Sequence, residues 1–200
     1  MNELGVFYGG LSGKSKNDFG NGNAKYITYM NVYSNISIDL SIAEMVNVTN
    51  GEKQNAIQFG DTLFTGSSET PEECGMSSVV TEQLSEAIYL NSFCFGFRMN
   101  DLSLWDVHFL KHLFRSHSLR QRIIKTASGV TRFNISKKKM ANVELPIPPI
   151  EEQHRIALIL DHFETLTTSL QGSLSAEIAA HGQQYEYYRE KLLTFKRKAA

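Results

Sequence analysis

The sequence predicts an α+β protein: a mixed-sheet globular domain over residues 1–149, then a helical region over 150–200 that forms coiled-coil contacts and kinks or breaks once. Three observations carry this. Short β-rich runs punctuated by Gly, Asn and Ser fill the first hundred residues. After Ser103 the apolar spacing lengthens from the strand period to the helix period. The extended segment Leu145-Pro146-Ile147-Pro148-Pro149 then precedes a long stretch of heptad-spaced apolar residues.

The elements follow in order. Residues 24–30 and 44–48 alternate as half-buried strands do. Residues 58–64 place a Gly-Asp turn pair ahead of another strand. Residues 87–90 and 92–98 are two more, and the Phe-rich second one is expected at the centre of its sheet. Irregular connections favour a mixed sheet over a βαβ repeat. Ser103 is expected to cap a helix with Val107, Leu110, Leu113 and Phe114 on one face. A second helical piece over 118–127 follows a kink near His117 and stops at Ser128-Gly129. Residues 130–136 form a loop or short strand, and 136–140 a brief turn.

Beyond Pro149, Glu151 and Glu152 complement the dipole of a helix start. Ile156, Phe163 and Leu170 recur every seven residues, as do Ile159 and Leu166; Ile178, Tyr185 and Leu192 form a later row, and His181, Tyr188 and Phe195 another. The step from Leu170 to Ile178 is eight residues, so the rows slip by one at Gln171-Gly172-Ser173, where a kink or a break into two helices is expected. An apolar stripe of this length needs a mate. One chain supplies one such stretch, or two that fold back as a hairpin, so a homodimer or a second protein is expected.

With 42% hydrophobic and 20% charged residues the chain falls in the range of ordinary soluble domains. No apolar run approaches the ~20 residues of a membrane span, and the start lacks a secretory signal. Cys74 and Cys94 make neither a disulfide framework nor a metal knuckle, and read as reduced, buried hydrophobes of a cytoplasmic protein. Net charge is −1, but its distribution is uneven: residues 107–143 hold 9 Lys or Arg and no Asp or Glu. Such a run is either a solvated helix face or a surface presented to one anionic partner.

Several segments together resemble the specificity subunits of type I restriction-modification systems. Leu145-Pro146-Ile147-Pro148-Pro149-Ile150-Glu151-Glu152-Gln153-His154-Arg155-Ile156, with Ile159-Leu160-Asp161 after it, is similar to the start of that family's conserved helical region, and Ala176-Glu177-Ile178 and the stretch from Gln184 to Leu193 to its continuation. The stretches from Gly9 to Lys16, Phe59 to Ser67 and Ser128 to Ser136 resemble its target-recognition domain. The resemblance implies a DNA target-recognition domain over 1–149 and a helical spacer over 150–200. It implies double-stranded DNA, a methyltransferase (modification) subunit and a motor-nuclease (restriction) subunit as partners. Full-length members carry two recognition domains, each reading half of a split target. This chain has one, and no Trp-containing lead-in before the Gly9-Gly10 loop. It is therefore either an excised half or a short form, and a twofold dimer rebuilds the two-domain layout.

DNA reading separates contacts that position the duplex from contacts that read bases. Lys14, Ser15 and Lys16 offer phosphate contacts on a loop that alone reads as a surface turn, without Walker spacing. Thr65, Ser67 and Ser68 offer hydroxyls, or a capping turn, beside Glu69, Glu72 and Glu73, which repel phosphate unless they accept from a cytosine amino group. Thr131 and Arg132 are the foremost candidates for base contact, and Lys137 and Lys138, with Lys139, suit phosphate. One of Tyr26 and Tyr29 is expected in the core. Ile156, Ile159, Phe163, Leu166, Leu170, Ile178, Tyr185, Tyr188 and Leu192 are the expected dimer or partner face.

Signs of catalysis are missing from the sequence: no Asn/Asp-Pro-Pro-Tyr/Phe motif, no Gly-rich cofactor loop, no Walker motif, no paired carboxylates. His108 and His112 are spaced i, i+4 without the Glu of a zinc-protease helix, and read as helix surface and core edge. No cofactor or metal is expected. The alternatives to DNA reading are a short interaction module that competes with full-length specificity subunits for the methyltransferase, and an enzyme with an unrecognised site.

Overall fold

The computed structural model describes residues 1–49, 51–170 and 175–195. The strands are β1 (Gly5–Gly9), β2 (Phe19–Ile27), β3 (Glu44–Val46), β4 (Thr62–Thr65), β5 (Ser67–Ser68), β6 (Ser77–Val79), β7 (Ile88–Leu90), β8 (Cys94–Met99), β9 (Ala127–Ser128) and β10 (Phe133–Ile135); the helices are α1 (Tyr29–Ser34), α2 (Val107–Arg115), α3 (His117–Ile124), α4 (Lys137–Met140), α5 (Ile150–Leu170) and α6 (Ser175–Leu193). Among the described residues these form three small sheets, ordered β1-β8-β4-β6, β5-β10-β9 and β3-β2-β7. Only the β2–β7 pair is parallel among these ladders, so the sheets are mixed. The Phe-rich strand β8 lies between β1 and β4, with every residue but Arg98 buried.

Several boundaries moved for identifiable reasons. The strand expected to run to Met30 stops at Ile27, because the Thr28 hydroxyl accepts from Asn31 N at 3.2 Å and starts α1. Ser103 does not cap the following helix. It lies in a 3-10 turn, and Asp106 caps α2 by accepting from His108 N (2.8 Å) and Phe109 N (3.0 Å). Helices α2 and α3 are separate, broken at Ser116. Gly60 holds φ +83°, and a Cβ there would meet the Leu102 side chain, so the turn into β4 requires glycine.

One core joins sheet and helices. Phe64 stacks on Phe95 and meets Phe114 edge-on, both at 5.3 Å between ring centres. The same cluster continues through Phe109, Leu110, Leu113 and Ile123 to Ile156, Ala157 and Leu160 of α5 and Leu193 of α6. Burial of such side chains contributes about 1.5–3 kcal/mol each, so the helical region is fastened to the globular body.

The two long helices fold back on each other, with Phe163 stacked on Tyr188 at 5.1 Å. Their apolar stripe thus finds much of its mate within the chain. Ile156 is buried, while Ile159, Phe163, Leu166, Tyr185, Tyr188 and Leu192 are half-buried. The expected break at Gly172 lies outside the described residues, as do the side chains of Leu170 and Ile178.

The motif before α5 has a physical basis in Gln153. Its side chain is fully buried, donates to Leu104 O and Pro148 O (both 2.9 Å) and accepts from Asp106 N at 3.0 Å. One amide therefore ties the proline segment, the start of α2 and the first turn of α5 together.

Candidate nucleic-acid interface

The basic segment is not one face. Lys111 is buried and pairs with Asp161 at 2.9 Å and Glu164 at 2.7 Å. Arg115 donates to the carbonyls of Ser77, Val32, Tyr33 and Asn35, and Arg120 to those of Gly75, Glu72 and Cys74. Arg122 donates to Glu144 O at 2.9 Å. The three arginines thus hold main-chain carbonyls, and Lys111 holds two carboxylates of α5. Only Lys125, Arg132, Lys137, Lys138 and Lys139 leave their residues exposed.

Arg132 lies on a cleft of about 410 Å³ lined by Tyr29, Met30, Tyr33, Ser67, Ser68, Glu69, Glu73 and Phe93. Strand pairing builds it: β10 lies against β5, with Phe133 opposite Ser68 and Asn134 opposite Ser67, so segments 65 residues apart meet. Gly129, at φ +149°, opens the turn between β9 and β10; a Cβ there would strike the Arg132 carbonyl. Arg132 Nε donates to Ser67 Oγ at 3.3 Å, and its guanidinium lies 5.5 Å from the Phe93 ring centre.

The opposite wall is α1, whose Tyr29 and Tyr33 rings stack at 6.1 Å. Tyr29 OH donates to Ser67 O at 2.9 Å, and Tyr33 OH donates to Glu73 Oε1 at 2.9 Å. Ser68 Oγ donates to the other Glu73 oxygen at 3.0 Å. Hydrogen bonds from Tyr33 and Ser68 hold the Glu73 carboxyl below its ordinary range, so it stays an acceptor. Burial raises the Tyr29 hydroxyl, which remains a donor. The cleft thus presents a guanidinium, a shielded carboxylate and flat apolar surface, with Met30 and Phe93 both more than half exposed.

Arg132, Ser67 and Ser68 therefore come together. Thr131 is exposed on the same turn, and the Lys137 ammonium lies 5.4 Å from the Phe95 ring centre at the start of α4, with Lys138 exposed beside it. Thr65 does not join them: it is buried, its hydroxyl accepting from Met76 N at 2.9 Å. The Gly9–Lys16 loop does not line the cleft. Lys14 is drawn inward onto Glu52 at 2.6 Å, which holds that carboxyl at about 2, and Ser15 is bonded to Asp18. Lys16 alone stays free-standing and exposed. Tyr26 is the core tyrosine, its OH donating to Glu44.

Tyr33, Met30 and Phe93 were not singled out from the sequence, whereas Glu73 was named there as an acceptor for a cytosine amino group. The signal for the first two was the Thr28 cap, which turns Tyr29 and Tyr33 into an i, i+4 pair. Asp61 is structural: buried, it takes a two-pronged pair from Arg98 (2.8 and 2.6 Å) and a hydrogen bond from Tyr8 OH at 2.6 Å.

His112 is fully buried, its Nε2 2.6 Å from Asp161 and its Nδ1 3.1 Å from Tyr185 OH. A neutral ring donating to Asp161 and accepting from Tyr185 fits both contacts. His112, Asp161 and Glu164 have metal-like spacing, but the Lys111 ammonium already bridges the two carboxylates. Among the described residues no helix is long and apolar enough to cross a membrane.

Comparison with known proteins gives the family and the fold. A family model described as the type I restriction modification DNA specificity domain matches residues 3–180. The EcoR124I/EcoR124II specificity subunit of Escherichia coli is 38% identical over 91 residues, which is 44% of this chain and 22% of that one. A chain from a structure concerned with assembly and conformational transition of the type I R-M system superposes with a TM-score of 0.59 at 19% identity, over 96% of this chain and 44% of the other. The HsdS subunit of Thermoanaerobacter tengcongensis gives 0.58 at 19% identity, over 86% of this chain and 42% of its own length. The chain thus spans less than half the length of these relatives.

Proposed function

The chain belongs to the type I restriction-modification DNA specificity family, and from that premise we propose that it reads one half of a split duplex target through the Arg132 cleft without catalysing a reaction itself. The observation that carries this reading is the exposed Arg132 guanidinium, braced by Ser67 and Phe93 beside the Glu73 carboxylate. Arginine pairs bidentately with guanine, and a carboxylate accepts from the cytosine amino group. Lys137, Lys138 and Lys139 serve backbone phosphates, which carry no sequence information. A motor-nuclease subunit joins the assembly through the methyltransferase core.

The α5–α6 hairpin is the surface offered to a methyltransferase subunit and to a second copy of the chain. Leu158 and Tyr187 on it, and Ile147 and Ile150 at its base, are large apolar side chains left exposed. A twofold dimer places two clefts on one duplex and reads a symmetric split site.

Mixing the chain with the methyltransferase subunit of its system and footprinting a duplex tests the reading. A protected, salt-sensitive footprint is expected with the chain present. Co-purification with the methyltransferase and no footprint on any duplex would instead make the chain an interaction module.

A further inference from the structure

A second cleft, of about 380 Å³, lies where the sheet domain meets α5 and α6, and Arg115, Arg120 and Arg189 all line it. Clustered like charges removed from water repel unless something neutralises them. Arg115 and Arg120 donate to main-chain carbonyls and to no carboxylate among the described residues. Arg115 Nη1 reaches only the Met76 sulfur, at 3.8 Å, a weak acceptor. Arg189 forms ion pairs with Glu186 through Nη2 and with Glu190 through Nε, but the latter, at 3.7 Å, is too long for a hydrogen bond and leaves the buried Nε without an acceptor among the described residues. The carboxylate on the cleft wall, Glu164, is already held by Lys111 at 2.7 Å. Burial first, then the charges of Arg120 and Arg189, pull the Arg115 guanidinium down to about 10.

A buried donor without an acceptor beside two guanidiniums that no carboxylate among the described residues neutralises, all around an open cleft, calls for an anion with several acceptor oxygens. We propose that this cleft binds a phosphate-class oxyanion, gripped by Arg189 Nε and Arg115 Nη1, which locks the helical hairpin onto the sheet domain. The site is separate from the Arg132 cleft and stands whether or not that cleft reads DNA. The two clefts share α1, since Tyr33 offers its hydroxyl to the first and its carbonyl to Arg115. A free phosphate and a backbone phosphate of a bound duplex are therefore the two sources.

Thermal unfolding of the full chain in sodium phosphate against sodium chloride of equal ionic strength is the test. Bound phosphate at roughly ten times its dissociation constant raises the midpoint by about 4 °C. Arg189→Gln is expected to abolish that increment, and Thr167→Glu, which places a carboxylate on the cleft wall, to abolish it as well. With the increment lost in both variants, the salt dependence of duplex binding separates the sources. A slope lower by about one in Arg189→Gln assigns the site to a DNA phosphate, and an unchanged slope to a free ion. No increment over chloride, or the same increment in the wild type and both variants, overturns the proposal.

Discussion

The two halves of the basic segment carry the same kind of charge to opposite ends. In the helical half, Lys111, Arg115 and Arg120 are drawn inside and hold carbonyls or carboxylates together. In the loop half, Arg132, Lys137, Lys138 and Lys139 stay exposed around a cleft and a one-turn helix. A guanidinium has five donors, which backbone carbonyls can satisfy inside the protein as phosphate can outside it. Burial decides its role, so a positive run in the sequence overstates the positive charge left at the surface.

This contrast breaks if substitutions in the two halves behave alike. The largest effect is expected from Arg115→Ala, which strands buried carbonyls in the segment joining α1 to the sheet; chemical denaturation should show a loss of about 3 kcal/mol or more. Arg132→Ala should leave stability within about 0.5 kcal/mol but cost about 1–3 kcal/mol of discrimination at one base pair, read from affinities over a panel of single-substitution duplexes. Equal losses across the panel would reassign Arg132 to phosphate. Lys137→Gln with Lys138→Gln should weaken all duplexes alike and lower the salt slope by about one per residue.

The smallest effect concerns pH and the hairpin. Burial, opposed by the hydrogen bond to Asp161, leaves His112 below its ordinary value of 6.5. Its unfolded form therefore binds a proton first on acidification. The stability it contributes is full above pH 6.5 and is lost as pH falls through the lowered folded value. Asp161, pushed up by burial but held at about 2 by His112 and Lys111, loses its share only between its ordinary 3.8 and about 2. Unfolding midpoints measured from pH 8 to 5 should fall, and His112→Gln should flatten that fall.

Much of the fold was legible because it rests on local pattern. The Phe-rich strand at the sheet centre, the interruption expected near His117 and the extended proline segment ahead of α5 each follow from residue chemistry within a few positions. Strand β2 was overrun because Tyr29 and Met30 continue its alternation, and only the Thr28 cap ends it. Of the residues lining the candidate cleft, Arg132 stood out as part of a Gly-Val-Thr-Arg turn. Phe93 and Tyr33 did not, because they reach the cleft through pairings that span tens of residues. Lys14 misled for a similar reason: nothing near it in the sequence announces Glu52.

Selection of duplexes from a randomised pool by the full chain, wild type against Arg132→Ala, tests the central assignment most directly. The account expects the wild type to enrich a short motif and the variant to lose preference at one guanine while keeping the rest. A wild type that enriches nothing, or a variant that enriches the identical motif, would contradict it.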